Sequence, residues 1–403
     1  MEQLKLPDRL GSVEIPQYLN VTRLASGASC LLHVVAPRTM LPHAPRGPYA
    51  ELGKVIHDLI ELAINGQLGN GSIPPNVAEA FDYLLEKAAA QLSIDTATRP
   101  YANLSVAFSK REWEKRRFYA IFDAENVKSP NRPPPADLKD LRSQPLSLGR
   151  FLQGGKKAAE VPFESASLRI RGRLDFVSVG ANEITVSDFK SGRVFDRDGN
   201  LNEQTSRQLR LYALAILELA PKLKVALRVF SRGVESVERF DEQMKVETSE
   251  WLTSITDVLQ AGARMSAQEF ASIGPQCARC DVRPVCPAYL DASFELWKQN
   301  DTPFELPLDT AGTVIDVREQ GDGYFSVKIV DYAGRTVKIH RLTPERVRGI
   351  TANQMLWFFD LASIEARMPS TGWRHPRNFH EVAMLPTERT AWTMRVFRVG
   401  IQT

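Results

Sequence analysis

Asp188 and Lys190 stand two residues apart at the end of the apolar, β-branched run Glu183-Ile184-Thr185-Val186. Such a run reads as a strand closing in a small-residue turn, here Ser191-Gly192, so both side chains project from one face. A carboxylate and an ammonium on one strand face suit a divalent cation and an activated water. Two more acids lie upstream. Asp175 falls in Gly172-Arg173-Leu174-Asp175-Phe176-Val177, and Glu160 in Ala159-Glu160-Val161-Pro162-Phe163, with Glu164 as an alternative on the same run. Hairpin-like spacing would bring three acids to one end of a sheet.

The elements that must position them follow from periodicity. Leu52, Val55, Ile56, Leu59, Ile60 and Ala63 recur at helical spacing and carry His57 with them. Further helices are expected over 77–92 and around 105–122, before the break Ser129-Pro130-Asn131-Arg132-Pro133-Pro134-Pro135. Short alternating strands are expected at 160–164, 168–179 and 183–190, then an amphipathic helix with Gln208, Leu211, Tyr212, Ala215 and Leu219, a strand over 224–230, and helix again over 242–270. Residues 291–305 read as a connector. From 306 to 403 the chain is β-rich, with tight turns between short strands, and a small barrel or open sheet is expected, an OB-like barrel first.

Glu160 before Val-Pro-Phe, the Gly172–Asp175 run, Asp188-Phe189-Lys190-Ser191-Gly192 and Gln208-Leu209-Arg210-Leu211-Tyr212-Ala213 occur in this order. Together they resemble the PD-(D/E)XK nuclease superfamily in its RecB-type branch, and Leu52-Gly53-Lys54-Val55-Ile56-His57 resembles that branch's upstream histidine motif. The resemblance covers about residues 20–290. It implies an α/β, restriction-endonuclease-like core with a central mixed sheet and flanking helices over residues 1–290. It also implies a metal-dependent DNA nuclease acting on single strands or free ends, as exonuclease or flap-type endonuclease, in repair, recombination or anti-phage defence.

The chemistry is consistent with that. Phosphodiester hydrolysis needs a hard cation to neutralise phosphoryl oxygens and lower the pKa of water. Mg²⁺ is held by a few carboxylates with open positions left over. Asp175 and Asp188 are the preferred ligands, with Glu160 binding directly or through water, and the Phe189 carbonyl as a further candidate. His57 would complete the site and tilt it somewhat toward Mn²⁺. Lys190 would position the attacking water or stabilise developing charge, and acts as a base only if its pKa is depressed. Gln208 and Tyr212, four apart on one helix face, would orient Lys190 or the phosphate.

Cysteine supplies a second constellation, Cys277-x₂-Cys280-x₅-Cys286, with Cys30 as the one other cysteine in the sequence. Four thiolates suit a [4Fe–4S] cluster, and the same set can bind zinc. Iron–sulfur members of the resembled group, AddB-type and CRISPR-associated RecB-like enzymes, carry one cysteine upstream of the core and three after it. The resemblance therefore implies a structural [4Fe–4S] cluster tying residue 30 to 277–286.

Basic residues are local rather than global, since the net charge of +3 is too small to argue for nucleic acid alone. Arg169, Arg171 and Arg173 alternate toward the acidic end and are candidate phosphate contacts. The run 110–117 holds five basic and two acidic residues around Trp113, a solvated face or a DNA-backbone contact with Trp113 stacking. In the C-terminal region Lys328, Arg335, Lys338 and Arg341 interleave with Tyr324, Phe325 and Tyr332. Either these hold a DNA strand, or the aromatics fill a core and the region docks a partner such as a helicase or another repair or defence subunit.

At 403 residues, 43% hydrophobic and 25% charged, the chain can bury more than one core without staples. No membrane-length apolar run and no signal peptide is visible, so a cytoplasmic protein with no membrane partner is expected. No G-x-x-x-x-G-K-[ST] motif argues for an ATPase. A catalytically silent DNA-binding or scaffold subunit, or a zinc-bound interaction module, are the rival readings.

Overall fold

The computed structural model describes residues 10–27, 29–37, 47–94, 102–128, 148–153, 157–190, 192, 194–196, 198–231, 233–262, 265–274, 276–277, 280–298, 309–321, 323–331, 334–359, 361–363, 381–386 and 395–398. Its first part is a mixed sheet of six strands: β1 Leu19–Asn20, β2 Lys157–Ser165, β3 Ile170–Val179, β4 Glu183–Lys190, β5 Lys224–Ser231 and β6 Val234–Phe240. β2 runs antiparallel along nearly all of β3. On the other edge of β3, β1 pairs only Ile170 and Arg171, and β4 pairs only Phe176 to Val179. That edge is therefore open over residues 172–175, between two short partners. β4 and β5 are parallel, joined through a helix, and β5–β6 is a hairpin.

Helices cover both faces. On one side lie α3 (Pro48–Ile64), α4 (Val77–Ile94) and α5 (Lys110–Val127), following the short α1 (Val21–Gly27) and α2 (Leu31–Val35). Pro48 opens α3 at a position where its missing N–H costs nothing, and Ser109 caps α5 by accepting from the Glu112 N–H at 3.3 Å. Leu52, Leu59, Phe81, Ala120 and Ala124 form a cluster that meets the sheet through Phe176, Phe189 and Phe230. Trp113 tilts against Phe81 and Phe108, with centroids 6.3 and 6.0 Å away, so it packs within this helical layer rather than standing out to stack on a strand of DNA. After α6 (Leu148–Leu152), the opposite face is covered by α7 (Glu203–Leu219) and α8 (Glu242–Ala261). The expected helix over 242–270 splits at Gly262, and α9 (Ala267–Phe270) restarts behind a capping box from Ser266 to Glu269.

α10 (Pro287–Lys298) occupies the start of the expected connector. Beyond it, β7 Thr310–Glu319, β8 Phe325–Asp331, β9 Thr336–Leu342, β10 Met355–Phe359, β11 Leu361–Ser363, β12 Glu381–Pro386 and β13 Arg395–Arg398 form a second sheet, with α11 (Pro344–Val347) between β9 and β10. The described strands follow the open order β11-β12-β9-β8-β7-β10-β13, with β12 parallel to β9. Among the described residues that is an open seven-stranded sheet, the expected alternative to an OB-like barrel. Ala311, Trp357 and Phe359 join the main hydrophobic cluster of the first part. At this junction Arg283 Nε lies 2.9 Å from Asp309 Oδ2, and the Tyr289 hydroxyl donates to the same oxygen at 2.6 Å. Arg335 pairs with Asp331 at 2.7 Å, and Lys328 faces Lys338 across β8–β9. Phe325 packs on the sheet's own core, Tyr324 is exposed, and Tyr332 and the Arg341 side chain lie outside the described residues.

No helix among the described residues is long and apolar enough to cross a membrane.

Candidate metal and phosphodiester site

Three acids meet at one level of the first sheet. The β2–β3 register steps from Ala159↔Phe176 to Val161↔Leu174, so Glu160 falls opposite Asp175. The β3–β4 pairing ends at Phe176↔Ser187, so Asp175 and Asp188 each follow the last paired residue of their strand, without pairing in the ladder. Here the edge of β3 is open, and the Phe189 N–H turns its donor to the Asp175 carboxylate at 3.1 Å. Glu160 has a left-handed backbone, φ 53°, which interrupts the ladder at this residue. A non-glycine side chain in that region is costly, of order 1–3 kcal/mol, and persists where surroundings over-determine it.

His57 reaches the acids from α3. Its Nδ1 lies 3.8 Å from both Glu160 Oε1 and Asp175 Oδ2, and one ligand atom from each of the three lies within 4.8 Å of the others. Arg173 pairs with the second oxygen of Glu160 at 3.2 Å. On the far side, Lys190 Nζ lies 3.0 Å from Asp188 Oδ2 and donates to Gln208 Oε1 at 3.3 Å. Gln208 Nε2 approaches Asp188 Oδ1 at 3.4 Å and donates to the Tyr212 hydroxyl at 2.8 Å. Asn202 caps α7 and fixes the pitch that turns Gln208 and Tyr212 inward. Gly172 allows their approach: a Cβ there would come within 2.9 Å of the Phe163 ring and 3.2 Å of the Tyr212 ring.

The electrostatics follow from this crowding. Burial and the neighbouring charge of Asp188 push the Asp175 carboxyl up to about 7, against the opposing pull of His57 and Lys190. Burial alone would lower the His57 pKa. Its pairing with Glu160 and the charges of Asp175 and Asp188 prevail and push it up to about 9. Burial also works to lower Lys190, but Asp188 and Asp175 hold it above the usual lysine range. Lys190 is therefore a cation here, not the depressed amine that a general base requires. Asp188 is 1% exposed, and its Oδ2 lacks a well-aligned hydrogen bond although Lys190 is close. A buried carboxylate oxygen left so, beside two further acids, fits a divalent cation in chemistry and in donor count.

The Arg series is only partly collected. Arg173 is at the site. A strand rises about 3.3 Å per residue, so Arg171 sits roughly 13 Å from Asp175. Arg169 lies before β3 with φ 52°, which breaks the alternation that would have aligned it.

The four cysteines converge elsewhere. Cys30 precedes α2, and its sulfur accepts from the Ser272 N–H at 3.5 Å, while Cys277 Sγ lies 3.9 Å from the Ser272 carbonyl. The Tyr289 N–H donates to Cys286 Sγ at 3.4 Å. Burial raises the thiols of Cys277, Cys280 and Cys286, the last two to about 12 and about 11, and Cys30 adds to each. Among the described residues no three cysteine sulfurs lie mutually within 4.8 Å. Four sulfurs around one zinc would stand about 3.8 Å apart at bonds of about 2.3 Å. His33, missed in the sequence, lies 3.6 Å from Cys280 Sγ and 3.4 Å from Asp281. No spacing signal marks it, because it enters from α2.

The PD-(D/E)XK nuclease superfamily matches residues 18–287, which contain all three acids, His57, Lys190 and all four cysteines. The chain belongs to the PD-(D/E)XK nuclease superfamily. Members of this superfamily hydrolyse phosphodiester bonds with divalent metals such as Mg²⁺ or Mn²⁺. No curated protein sequence matches the chain. A solved structure described as "Crystal structure of SSO0001" is similar at 18% identity over 52% of this chain and 96% of its own, with a TM-score of 0.22, too low to say anything of the fold.

Proposed function

We propose that this PD-(D/E)XK protein is a metal-dependent deoxyribonuclease of the RecB-type branch, cutting single-stranded or end-containing DNA in repair, recombination or defence. The observation that carries the reading is the acid trio Glu160–Asp175–Asp188 with His57 at one end and Lys190 at the other. Glu160, Asp175, Asp188 and His57 would hold Mg²⁺ or Mn²⁺. The ion supplies neutralisation of phosphoryl oxygens and a water of lowered pKa. Lys190 presents a fixed positive charge where negative charge develops. Gln208 keeps Lys190 and Asp188 in one geometry, and Tyr212 acts through Gln208 rather than on the substrate. Arg173, exposed beside Glu160, would touch a phosphate next to the cut.

Single strands are favoured by one face of α5. Arg111, Lys115, Phe118 and Phe122 line successive turns and are exposed, and the Phe118 and Phe122 rings stack at 6.1 Å. Exposed aromatic faces hold bases at roughly 1–3 kcal/mol each, with basic side chains following the backbone. A [4Fe–4S] cluster bound by Cys30, Cys277, Cys280 and Cys286 is part of the same proposal. Backbone N–H groups aimed at Cys30 and Cys286 support it.

Cleavage of labelled single-stranded oligonucleotides with Mg²⁺ or Mn²⁺ tests the reading. Asp188→Ala and Lys190→Ala should each abolish cleavage, as should a chelator, while the fold persists. Equal activity in wild type and both variants would exclude this site.

A further inference from the structure

A cavity open to solvent lies between α3, α5 and the end of β4. Ile56 and Ile60 of α3, Ala120 of α5 and Phe189 of β4 give it apolar walls, and Lys190 of the candidate site is one of its lining residues. Whatever sits at Lys190 therefore has this space beside it.

One polar group in the cavity stands apart. Asp123 lines it from α5 and is 9% exposed. Among the described residues no hydrogen bond or ion pair reaches its carboxylate, and burial alone accounts for its raised pKa. The nearby Arg116 guanidinium is turned elsewhere, to Glu112 at 2.7 and 3.0 Å and over the Tyr49 ring at 4.8 Å. With no protein donor, the Asp123 carboxylate oxygens face the solvent-open cavity, where a ligand could supply donors.

We propose that the cavity receives an unpaired nucleobase next to the phosphate held at Lys190, and that Asp123 selects guanine. The proposal rests on the nuclease reading for the phosphate and adds the base. A carboxylate only accepts hydrogen bonds and offers two oxygens side by side. The Watson–Crick edge of unpaired guanine carries two adjacent donors, N1–H and the N2 amino group. Adenine and cytosine set an acceptor beside their amino group, and thymine flanks its one N–H with two carbonyls, so each brings an oxygen or nitrogen lone pair against the carboxylate. The apolar part of the lining accepts any base, and the acid tells them apart. Reading an extruded base by its Watson–Crick edge between apolar walls is an established mode of recognition in enzymes acting on nucleic acid. At pH 7.5 the carboxyl, raised to about 6, is ionised and ready to accept.

Calorimetric titration of the full chain with each of the four deoxynucleoside 5′-monophosphates, in the presence of chelator, tests this without cleavage. The guanine nucleotide should bind at least about ten-fold tighter than the other three, the discrimination expected of one bidentate contact. Asp123→Asn, which keeps the side-chain shape, should lose that preference. Ala120→Leu, which fills the cavity from another wall, should weaken all four. Equal affinity for the four nucleotides, or a guanine preference unchanged in Asp123→Asn, overturns the proposal. Guanine selectivity in a chain that cuts no oligonucleotide would uphold the pocket and sink the nuclease reading. Cleavage with no guanine preference at the cut would do the reverse.

Discussion

Glu160 stands directly across the β2–β3 ladder from Asp175, at a residue of β2 whose backbone is left-handed. Its carboxylate thereby meets His57 and Arg173 at once, at 3.8 and 3.2 Å. The strain and the site coincide at one residue.

Replacing Glu160 separates the two. Glu160→Gly and Glu160→Ala both remove a candidate ligand, and both should lose metal-dependent cleavage. They differ in the backbone: glycine tolerates φ 53° and alanine does not. The glycine variant should be the more stable by about 1 kcal/mol in urea unfolding, although glycine loses more chain entropy. An alanine variant equal or superior in stability would mean the left-handed residue carries no strain.

Metal affinity should climb with pH. His57 holds its proton to about pH 9 and must release it to serve as a ligand. Mn²⁺ binding should therefore tighten between pH 6 and 9, by up to about ten-fold per unit. In His57→Ala the affinity should be lower and the rise shallower. Without metal the sign reverses for stability. A histidine raised above its unfolded value stabilises the fold fully below about pH 6.5 and loses that contribution as pH passes 9. In chelator the wild type should lose thermal stability from pH 7 to 9.5 more steeply than His57→Ala. Parallel curves for the two proteins would refute the pairing.

The cysteine cluster predicts colour. Protein purified without oxygen should be brown, with roughly four iron and four sulfide per chain. Cys30→Ala should lose the colour as completely as Cys280→Ala, because Ser272 links the remote cysteine to the trio. One zinc per colourless chain would decide against iron, and full colour in Cys30→Ala would remove that residue from the ligand set.

The second sheet is joined to the first through charge buried on both sides. Arg283 is 2% exposed and Asp309 1%, at 2.9 Å. Asp309→Ala should destabilise the whole chain by about 3–5 kcal/mol, since the guanidinium and the Tyr289 hydroxyl both lose this carboxylate. The double variant Arg283→Met, Asp309→Leu should recover part of the loss. Chemical unfolding monitored by tryptophan fluorescence measures both, and an Asp309→Ala midpoint equal to wild type would show that the pair does not couple the sheets.

The linear pattern determined a good deal of this protein. Strand alternation in Glu183–Lys190 put Asp188 and Lys190 on one face, because side chains alternate with period two whatever the strand packs against. The stripe Leu52–Ala63 fixed a helix that carries His57, because apolar residues three and four apart have to be buried together. Other features depend on contacts between distant segments. Register sums, not spacing, bring Glu160, Asp175 and Asp188 to one level of the sheet. The partial pairing of β1 and β4 opens the edge of β3 at Asp175, and nothing near Asp175 encodes where its neighbours stop. The two-residue strand β1 is too short to leave a pattern. Trp113 looked free in a charged run, but α5 packs on α3 and α4, and the helical layer absorbs it. Asp123 lies just past the expected end of its helix, and no motif marks it. Only the meeting of α3, α5 and β4 makes the cavity that it lines, and a cavity is a property of the assembled layers rather than of the residues beside it.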